Sequence, residues 1–384
     1  MINFQSGDWS FFFGLKGNGA EYRQLGEQLI FRTNQSIMDK QTLQRYQHQK
    51  NIFCSINSVT ALSQLLRTDK RRLMLLSKKA SYKTFTIPKK GGGQRVIEAP
   101  GPELKRVLGR LNPYLQSVYF FEKSKAAYGF ILGVKNDHDR RNVLSNARKH
   151  VKKPYLLNVD LKDFFHAVTR ENVIDIFAGK PFKFRRPVYE LLADLTTYHD
   201  RLPMGTATSP VLSNFACREL DEALQTFSEA MLWSYTRYAD DMSFSSHQLI
   251  NAEKINSVSG IIRQYGFTIN PRKIKMFGPE EPKIVTGLLV TDTVTLAPGY
   301  LELIESEINQ LQTIMKNQNE QGHLSTKWVD QFKQQIRGRL SFAGFVLKRR
   351  DERYQALKDA FYTAINPPEE AFGAVNWRGF PYNM

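Results

Sequence analysis

The residues best suited to chemistry are acidic. Asp240 and Asp241 are neighbours in Tyr238-Ala239-Asp240-Asp241, with Trp233 and Tyr235 before them and Met242 and Phe244 after them. Such alternation reads as two strands, and the aspartates fall at the bend between them. Turns accept Asp readily, so a plain Asx-type turn is the simpler account. Two adjacent carboxylates repel, however, and solvent or a cation must offset that repulsion if both stay ionised. A third acid, Asp160, ends a strand that enters after Pro154 as Tyr155-Leu156-Leu157-Asn158-Val159-Asp160. Three carboxylates delivered by two neighbouring strands form an oxygen-rich site suited to Mg²⁺. Two such ions, roughly 3.5–4 Å apart, activate an attacking oxygen and stabilise a leaving one in an in-line displacement. Phosphoryl transfer is mostly positioning and charge neutralisation, which suits this arrangement.

These residues need a scaffold. Val59, Leu62, Leu65 and Leu66 recur at helical spacing after Ser55. Tyr82–Ile87 and Gln94–Glu98 alternate as strands, and the Pro88–Gly93 segment makes a basic, glycine-rich hairpin tip between them. Residues 103–290 mix helices with short strands. The last ninety residues read as helical. Leu301, Ile304, Ile308, Leu311 and Met315 form one apolar stripe, and Trp328, Phe332, Ile336, Ala343 and Val346 a second. Arg337, Arg339, Lys348, Arg349, Arg350 and Arg353 lie on or near the second helix. They are a solvated face or, given their excess over acids, a nucleic-acid-facing one. Before all this stands Trp9-Ser10-Phe11-Phe12-Phe13, followed by a Gln- and Asn-rich stretch from Asn34 to Asn51. The aromatics suit either an inward-packed element or a docking surface.

Composition narrows the class. The 384 residues carry 54 Lys and Arg against 37 Asp and Glu, a formal charge of +17 that calls for a polyanionic partner, nucleic acid before membrane. A hydrophobic fraction of 41% supplies a core and excludes a disordered chain. No apolar run reaches the roughly 18 residues of a membrane span. The first residues lack a secretory pattern. Two cysteines, Cys54 and Cys217, exclude a disulfide scaffold, fit a reducing cytoplasmic setting, and pack as small hydrophobes. His138, His150, His166 and His199 are scattered, with no Cys at metal-ligand spacing.

Five motifs occur in a telling order. They are Arg95 in its basic hairpin, Asp160 with Phe165 five residues on, Leu202-Pro203-Met204-Gly205-Thr206-Ala207-Thr208-Ser209-Pro210, the Tyr-Ala-Asp-Asp bend, and Gly266-Phe267-Thr268-Ile269-Asn270-Pro271-Arg272-Lys273. Together they resemble the fingers and palm of a reverse transcriptase over roughly residues 55–295. Asn146-Ala147-Arg148-Lys149-His150 fits the Asn-Ala-x-x-His pattern of bacterial retron reverse transcriptases, and Val285-Thr286-Gly287 fits their Val-Thr-Gly pattern. The resemblance implies an α+β right-hand polymerase fold. Its parts would be an N-terminal extension (1–54), fingers (55–150), a palm of antiparallel sheet with helices (151–295), and a helical thumb with a C-terminal tail (296–384).

The resemblance also implies roles. Asp160, Asp240 and Asp241 would be the metal-binding catalytic triad, and Leu161 would add a backbone carbonyl. The ions would be two Mg²⁺, with Mn²⁺ as the substitute. Phe165 matches the aromatic that rejects a 2′-hydroxyl, so the substrate would be dNTP; an ordinary core phenylalanine is the alternative. Arg95 matches the arginine that grips the triphosphate, a role its planar cation suits. Lys83 either assists it or belongs to a solvated strand face. Lys273 matches the proposed proton donor to pyrophosphate, with Lys275 as a rival. Met204 and Gly205 would approach the incoming nucleotide. Here the chain departs from the family's usual Leu-Pro-Gln-Gly: Met204 replaces Gln and Ala207 replaces Pro. Methionine lacks the amide's donors, which removes the usual polar contact. Asn146, His150, Tyr238, Arg337, Arg339, Lys348, Arg349 and Arg350 complete the expected nucleic-acid contacts, with local structure as the other role for His150.

The implied activity is RNA-directed DNA synthesis. A dedicated structured non-coding RNA would be copied from a guanosine 2′-hydroxyl into a branched RNA–DNA product, msDNA. A host ribonuclease H would remove template, and a separate effector protein would join the enzyme in phage defence. No membrane partner is expected. The alternatives are a group II intron-like or other bacterial reverse transcriptase, and a non-catalytic RNA- or effector-binding scaffold.

Overall fold

A computed structural model describes residues 39–79, 81–88, 92–321 and 327–366. The aromatic cluster at 9–13 and the tip of the basic hairpin at 89–91 lie outside these. The described residues fall into two compact units, each discontinuous in sequence: those up to 142 with 163–219, and 143–162 with those from 220 onward. Among the described residues no helix is long and apolar enough to cross a membrane.

In the first unit, β1 (Tyr82–Pro88) and β2 (Gln94–Pro100) pair antiparallel, from Tyr82 opposite Pro100 to Pro88 opposite Gln94. Helix Pro102–Glu122 follows at once. Proline suits its first turn, where an N–H would lack a helical partner. It buries Leu104, Val107, Leu108, Leu111, Leu115 and Val118, the i, i+3, i+4 pattern of a core-facing stripe. Helix Arg170–Ala178 opens with a reciprocal capping box between Thr169 and Asn172. Phe53, at the end of helix Lys40–Cys54, packs edge-on against Phe182 and Phe184 at 5.7 and 5.3 Å between centroids.

The second unit holds a four-stranded antiparallel sheet. Its members are β3 (Tyr155–Asp160), β4 (Ser234–Tyr238), β5 (Asp241–Ser246) and β6 (Lys275–Phe277), in the order β4-β5-β3-β6. Tyr235 and Phe244, cross-strand partners, stack at 4.7 Å. A second sheet, β7 (Lys283–Val285), β8 (Leu288–Val290) and β9 (Val294–Leu296), is a meander. Its first turn is Thr286-Gly287, both with positive φ (48° and 82°), as a two-residue type I′ hairpin requires.

Helices Tyr300–Gln321, Lys327–Leu347 and Glu352–Ile365 pack with this meander. Ile304, Ile308, Leu311, Ile336, Leu340, Ala343 and Phe361 share its core, so the first apolar stripe lies inside. The second stripe needs one correction: Trp328 is 55% exposed, stacked on the half-buried Phe332 rather than enclosed. It sits in the helix's first turn.

Candidate active site

The strand register builds the acidic centre. Asp160, the last residue of β3, lies directly opposite Asp241, the first residue of β5. Asp241 in turn faces Tyr238 across the hairpin, leaving Ala239 and Asp240 as the turn. The main chain ties turn and strand together, since the Leu161 amide donates to the Asp240 carbonyl at 3.0 Å. Beyond Asp160, Leu161 bridges to Ile269, and the Asn270 amide donates to the Asp160 carbonyl at 2.8 Å. That fixes the single 3₁₀ turn Pro271–Lys273, and the Lys273 ammonium donates to Asp160 Oδ2 at 2.7 Å.

The electrostatics follow. Asp241 is open to solvent on one side, yet its carboxyl is pushed up to about 6. Partial withdrawal from water is the main cause, followed by the negative charges of Asp240 and Asp160, against the opposing pull of Lys273 and Lys275. The hydrogen bond to Asp160, reinforced by the three carboxylates, holds the Lys273 ammonium above its ordinary value. Among the described residues no three His, Cys, Asp or Glu side chains form a ready-made ligand cage. The donor chemistry nevertheless fits a hard divalent cation. The side-chain donors are carboxylates, two on paired strands and one in the turn beside them, close enough that Asp240 and Asp160 raise the Asp241 carboxyl. Asp160, Asp240 and Asp241 would hold it, with the Leu161 carbonyl as a further oxygen.

In the first unit, Lys83 and Arg95 are both exposed. Lys83 is opposite Ala99 and Arg95 opposite Ile87, so both side chains project from one face of the ribbon. Four residues of strand separate the two positions, about 13 Å at ~3.3 Å each. Phe165 is half-buried, 5.4 Å from Phe164 and 6.1 Å from Phe130 between centroids. Met204 and Gly205 belong to a loop clamped to β2. The Glu98 amide donates to the Met204 carbonyl at 2.7 Å, and the Met204 amide donates to Glu98 Oε2 at 3.3 Å. Gly205 has φ 140°, and a Cβ there would meet the Glu98 carbonyl oxygen at 2.9 Å, which makes glycine obligatory.

Two expected nucleic-acid contacts are corrected. Asn146 and His150 are each 1% exposed and cannot reach a nucleic acid. His150 accepts and donates between the hydroxyls of Ser245 on β5 and Thr236 on β4, both at 2.7 Å. Burial, helped by the Lys153 charge, pushes its imidazole down to about 3 and keeps it neutral. The Asn146 amide donates to Thr286 Oγ1 at 3.4 Å, so the Asn-Ala-x-x-His and Val-Thr-Gly segments meet inside the fold. Tyr238 is half-buried. Arg337, Lys348, Arg349 and Arg350 are exposed, whereas Arg339 is half-buried and paired with Glu307 at 3.3 Å.

Sequence reasoning missed three buried charges. Glu98, which clamps the Met204 loop, also pairs with Arg201 at 3.0 Å and meets His166 at 3.2 Å. Arg237 and Asp221, both 0% exposed, pair at 2.7 Å directly behind the acidic turn. The available signal was a charged residue at an inward position of an apolar pattern: Arg237 two residues after Tyr235, and Asp221 beside Leu220 and Leu224.

Known proteins resemble this chain. The model of the reverse transcriptase (RNA-dependent DNA polymerase) family matches residues 87–290, more than half of the chain and a span that includes the acidic centre. The retron Ec86 reverse transcriptase of Escherichia coli is 30% identical over 224 residues, covering 57% of this chain and 66% of that protein. The retron Mx65 reverse transcriptase of Myxococcus xanthus is 30% identical over 235 residues, covering 56% and 52%. The retron Ec73 reverse transcriptase of Escherichia coli is 32% identical over 237 residues, covering 54% and 68%. The chain thus spans between about half and about two thirds of the length of these relatives. The family match over residues 87–290, together with retron relatives at 30 to 32% identity, places the chain in the reverse transcriptase family, among its bacterial retron members.

Proposed function

We propose that the protein is an RNA-directed DNA polymerase that copies a dedicated structured RNA into a branched RNA–DNA product, primed from a guanosine 2′-hydroxyl. The observation that carries the polymerase reading is the register of Asp160 opposite Asp241, with Asp240 in the turn and Lys273 2.7 Å from Asp160. The family uses divalent metal ions. Two such ions, Mg²⁺ in the simplest case, would activate the attacking hydroxyl and neutralise the leaving pyrophosphate.

The chain's own groups have distinct roles in this reading. The three carboxylates bind and space the cations. Lys273, held protonated by its acidic neighbours, gives its proton to the pyrophosphate oxygen as that group leaves. Arg95 binds triphosphate oxygens, and Phe165 excludes the 2′-hydroxyl of a ribonucleotide. The exposed cations Arg337, Lys348, Arg349 and Arg350 hold RNA phosphates. We assign residues 55–150 to fingers, 151–295 to palm and 296–384 to thumb, with residues 1–54 as an extension. A host ribonuclease H trims the template, and a separate effector protein joins the enzyme in phage defence.

The experiment is incorporation of labelled dNTP on a primed RNA template with Mg²⁺, together with sequencing of the nucleic acid that copurifies. A branched RNA–DNA species is expected. Linear cDNA alone would favour a group II intron-like enzyme, and no incorporation would favour a binding scaffold.

A further inference from the structure

Arg237 is the largest fully buried side chain among the described residues, at 0% exposure. A guanidinium so far from water must be paired and its donors satisfied. Asp221, equally buried, accepts from Nε at 2.8 Å and from Nη2 at 2.7 Å, a bidentate fork. Tyr235 Oη donates to the same carboxylate at 3.0 Å and fixes its orientation. If the pair served only to fasten helix Arg218–Ala230 to β4, the network would end there. It does not. Nη1 reaches forward and donates to the Ala239 carbonyl at 3.2 Å.

Ala239 is the one residue of the Tyr238–Asp241 turn with a left-handed backbone, φ 58°. An alanine has no intrinsic preference for that region and stays there only if its surroundings hold it. Its carbonyl is also the peptide link to Asp240. We propose that Arg237 is a positioning residue for the acidic turn: oriented by Asp221 and Tyr235, it holds the Ala239 carbonyl and so sets the direction of Asp240 and Asp241. The proposal rests on the polymerase reading above. Arginine is needed because one planar fork serves the carboxylate and the carbonyl together; a lysine ammonium cannot span both in that geometry.

The test compares Arg237→Lys with the double variant Arg237→Lys/Ala239→Gly. The measurements are thermal midpoint, kcat, KM for dNTP, Kd for primed template, and amide hydrogen exchange at Asp240 and Asp241. Arg237→Lys is expected to fold and to bind dNTP and template as the parent does, with kcat lowered by about 10- to 100-fold, the scale of a small misplacement of reacting groups. Exchange at the two aspartate amides should quicken. Glycine at 239 adopts φ above zero without help, so the double variant should be faster than Arg237→Lys alone. A folded Arg237→Lys with parental kcat overturns the proposal. So does a lowered kcat that glycine leaves unimproved and that comes with unchanged turn exchange. If Arg237→Lys does not fold, Tyr235→Phe decides in its place: a several-fold lower kcat at unchanged KM supports the proposal, and parental kcat with parental exchange overturns it. If the parent itself incorporates no dNTP, the polymerase reading fails, and turn exchange in the variants still decides the positioning role.

Discussion

At the scale of single residues, the acidic centre concentrates negative charge that the fold only partly offsets. Lys273 pairs with Asp160, while Asp241 keeps a carboxyl pushed up to about 6. Asp240→Asn and Asp241→Asn preserve shape and remove one charge each. Either should lower dNTP incorporation by on the order of 10³-fold, since under the proposed mechanism it deletes a group that organises charge in the transition state. Affinity for RNA should stay near that of the parent, because cations elsewhere carry it. Retained synthesis in either variant would remove these residues from the mechanism. Phe165 invites a separate measurement. It is half-buried beside Phe130 and Phe164, so Phe165→Ala opens space rather than emptying a deep core. The ratio of NTP to dNTP use should rise; an unchanged ratio would make Phe165 a packing residue only. The sequence exposed this centre because a strand, a bend and an acid pair are all local signals. It hid Arg237 and Asp221, whose pairing links residues on different elements. Periodicity shows which side chains point inward but not which distant partner neutralises them.

At the scale of elements, the short segments between strands do most of the positioning. Hairpin β1–β2, strand β3 and hairpin β4–β5 were legible from alternation and the turn residues between strands, although β1 is exposed along nearly its whole length and β5 is buried along nearly all of its own. The meaning of Asn146 and His150 was not. Expected to touch nucleic acid, with local structure as the other role for His150, they are buried fasteners: His150 joins its own segment to β4 and β5, and Asn146 holds the half-buried Thr286. The His150 imidazole is neutral in the folded chain and titrates near 3, against an ordinary value near 6.5. Above about 6.5 neither the folded nor the unfolded chain binds this proton, and the contribution to stability is complete. Below it the unfolded chain takes up the proton and the folded one does not, so stability falls by up to about 1.4 kcal/mol per pH unit until the folded value is reached. His150→Asn should flatten that part of the pH profile in denaturant titrations of the second unit. An unchanged slope between pH 6 and 4 would mean that other groups set it. Two glycines separate backbone strain from collision. Gly287 has open space around its missing Cβ, so Gly287→Ala should cost only the left-handed penalty, about 1–2 kcal/mol. Gly205→Ala drives a methyl onto the Glu98 carbonyl and should cost more, with the dNTP KM rising as the Met204 loop lifts from β2. Equal thermal shifts for the two would contradict this account.

At the scale of the whole molecule, the formal charge of +17 predicts a salt-dependent hold on RNA, but the structure shows that its cations are unequal. Each phosphate neutralised releases counterions, so log affinity falls linearly with log salt, by about 0.7 per contact on single strands and 0.9 on duplex DNA. A cation contributes to that slope only if its charge is still available. Arg349 and Arg350 are exposed in the segment between helices Lys327–Leu347 and Glu352–Ile365. Arg339, on the same basic stretch of sequence, is half-buried and spends its charge on Glu307, which also accepts from Gln335 at 2.8 Å. Arg349→Gln and Arg350→Gln should therefore each reduce the salt slope by about 1 and leave the melting temperature alone. Arg339→Gln should do the reverse: the slope barely moves, while the second unit loses stability because Glu307, only 9% exposed, is left with a buried charge and a single remaining partner. Filter-binding titrations from low to moderate salt, paired with melting curves, separate the two outcomes. Equal slopes for all three variants would show that RNA is held elsewhere on the protein. A slope loss at Arg339 would show that RNA draws this arginine away from Glu307 when it binds.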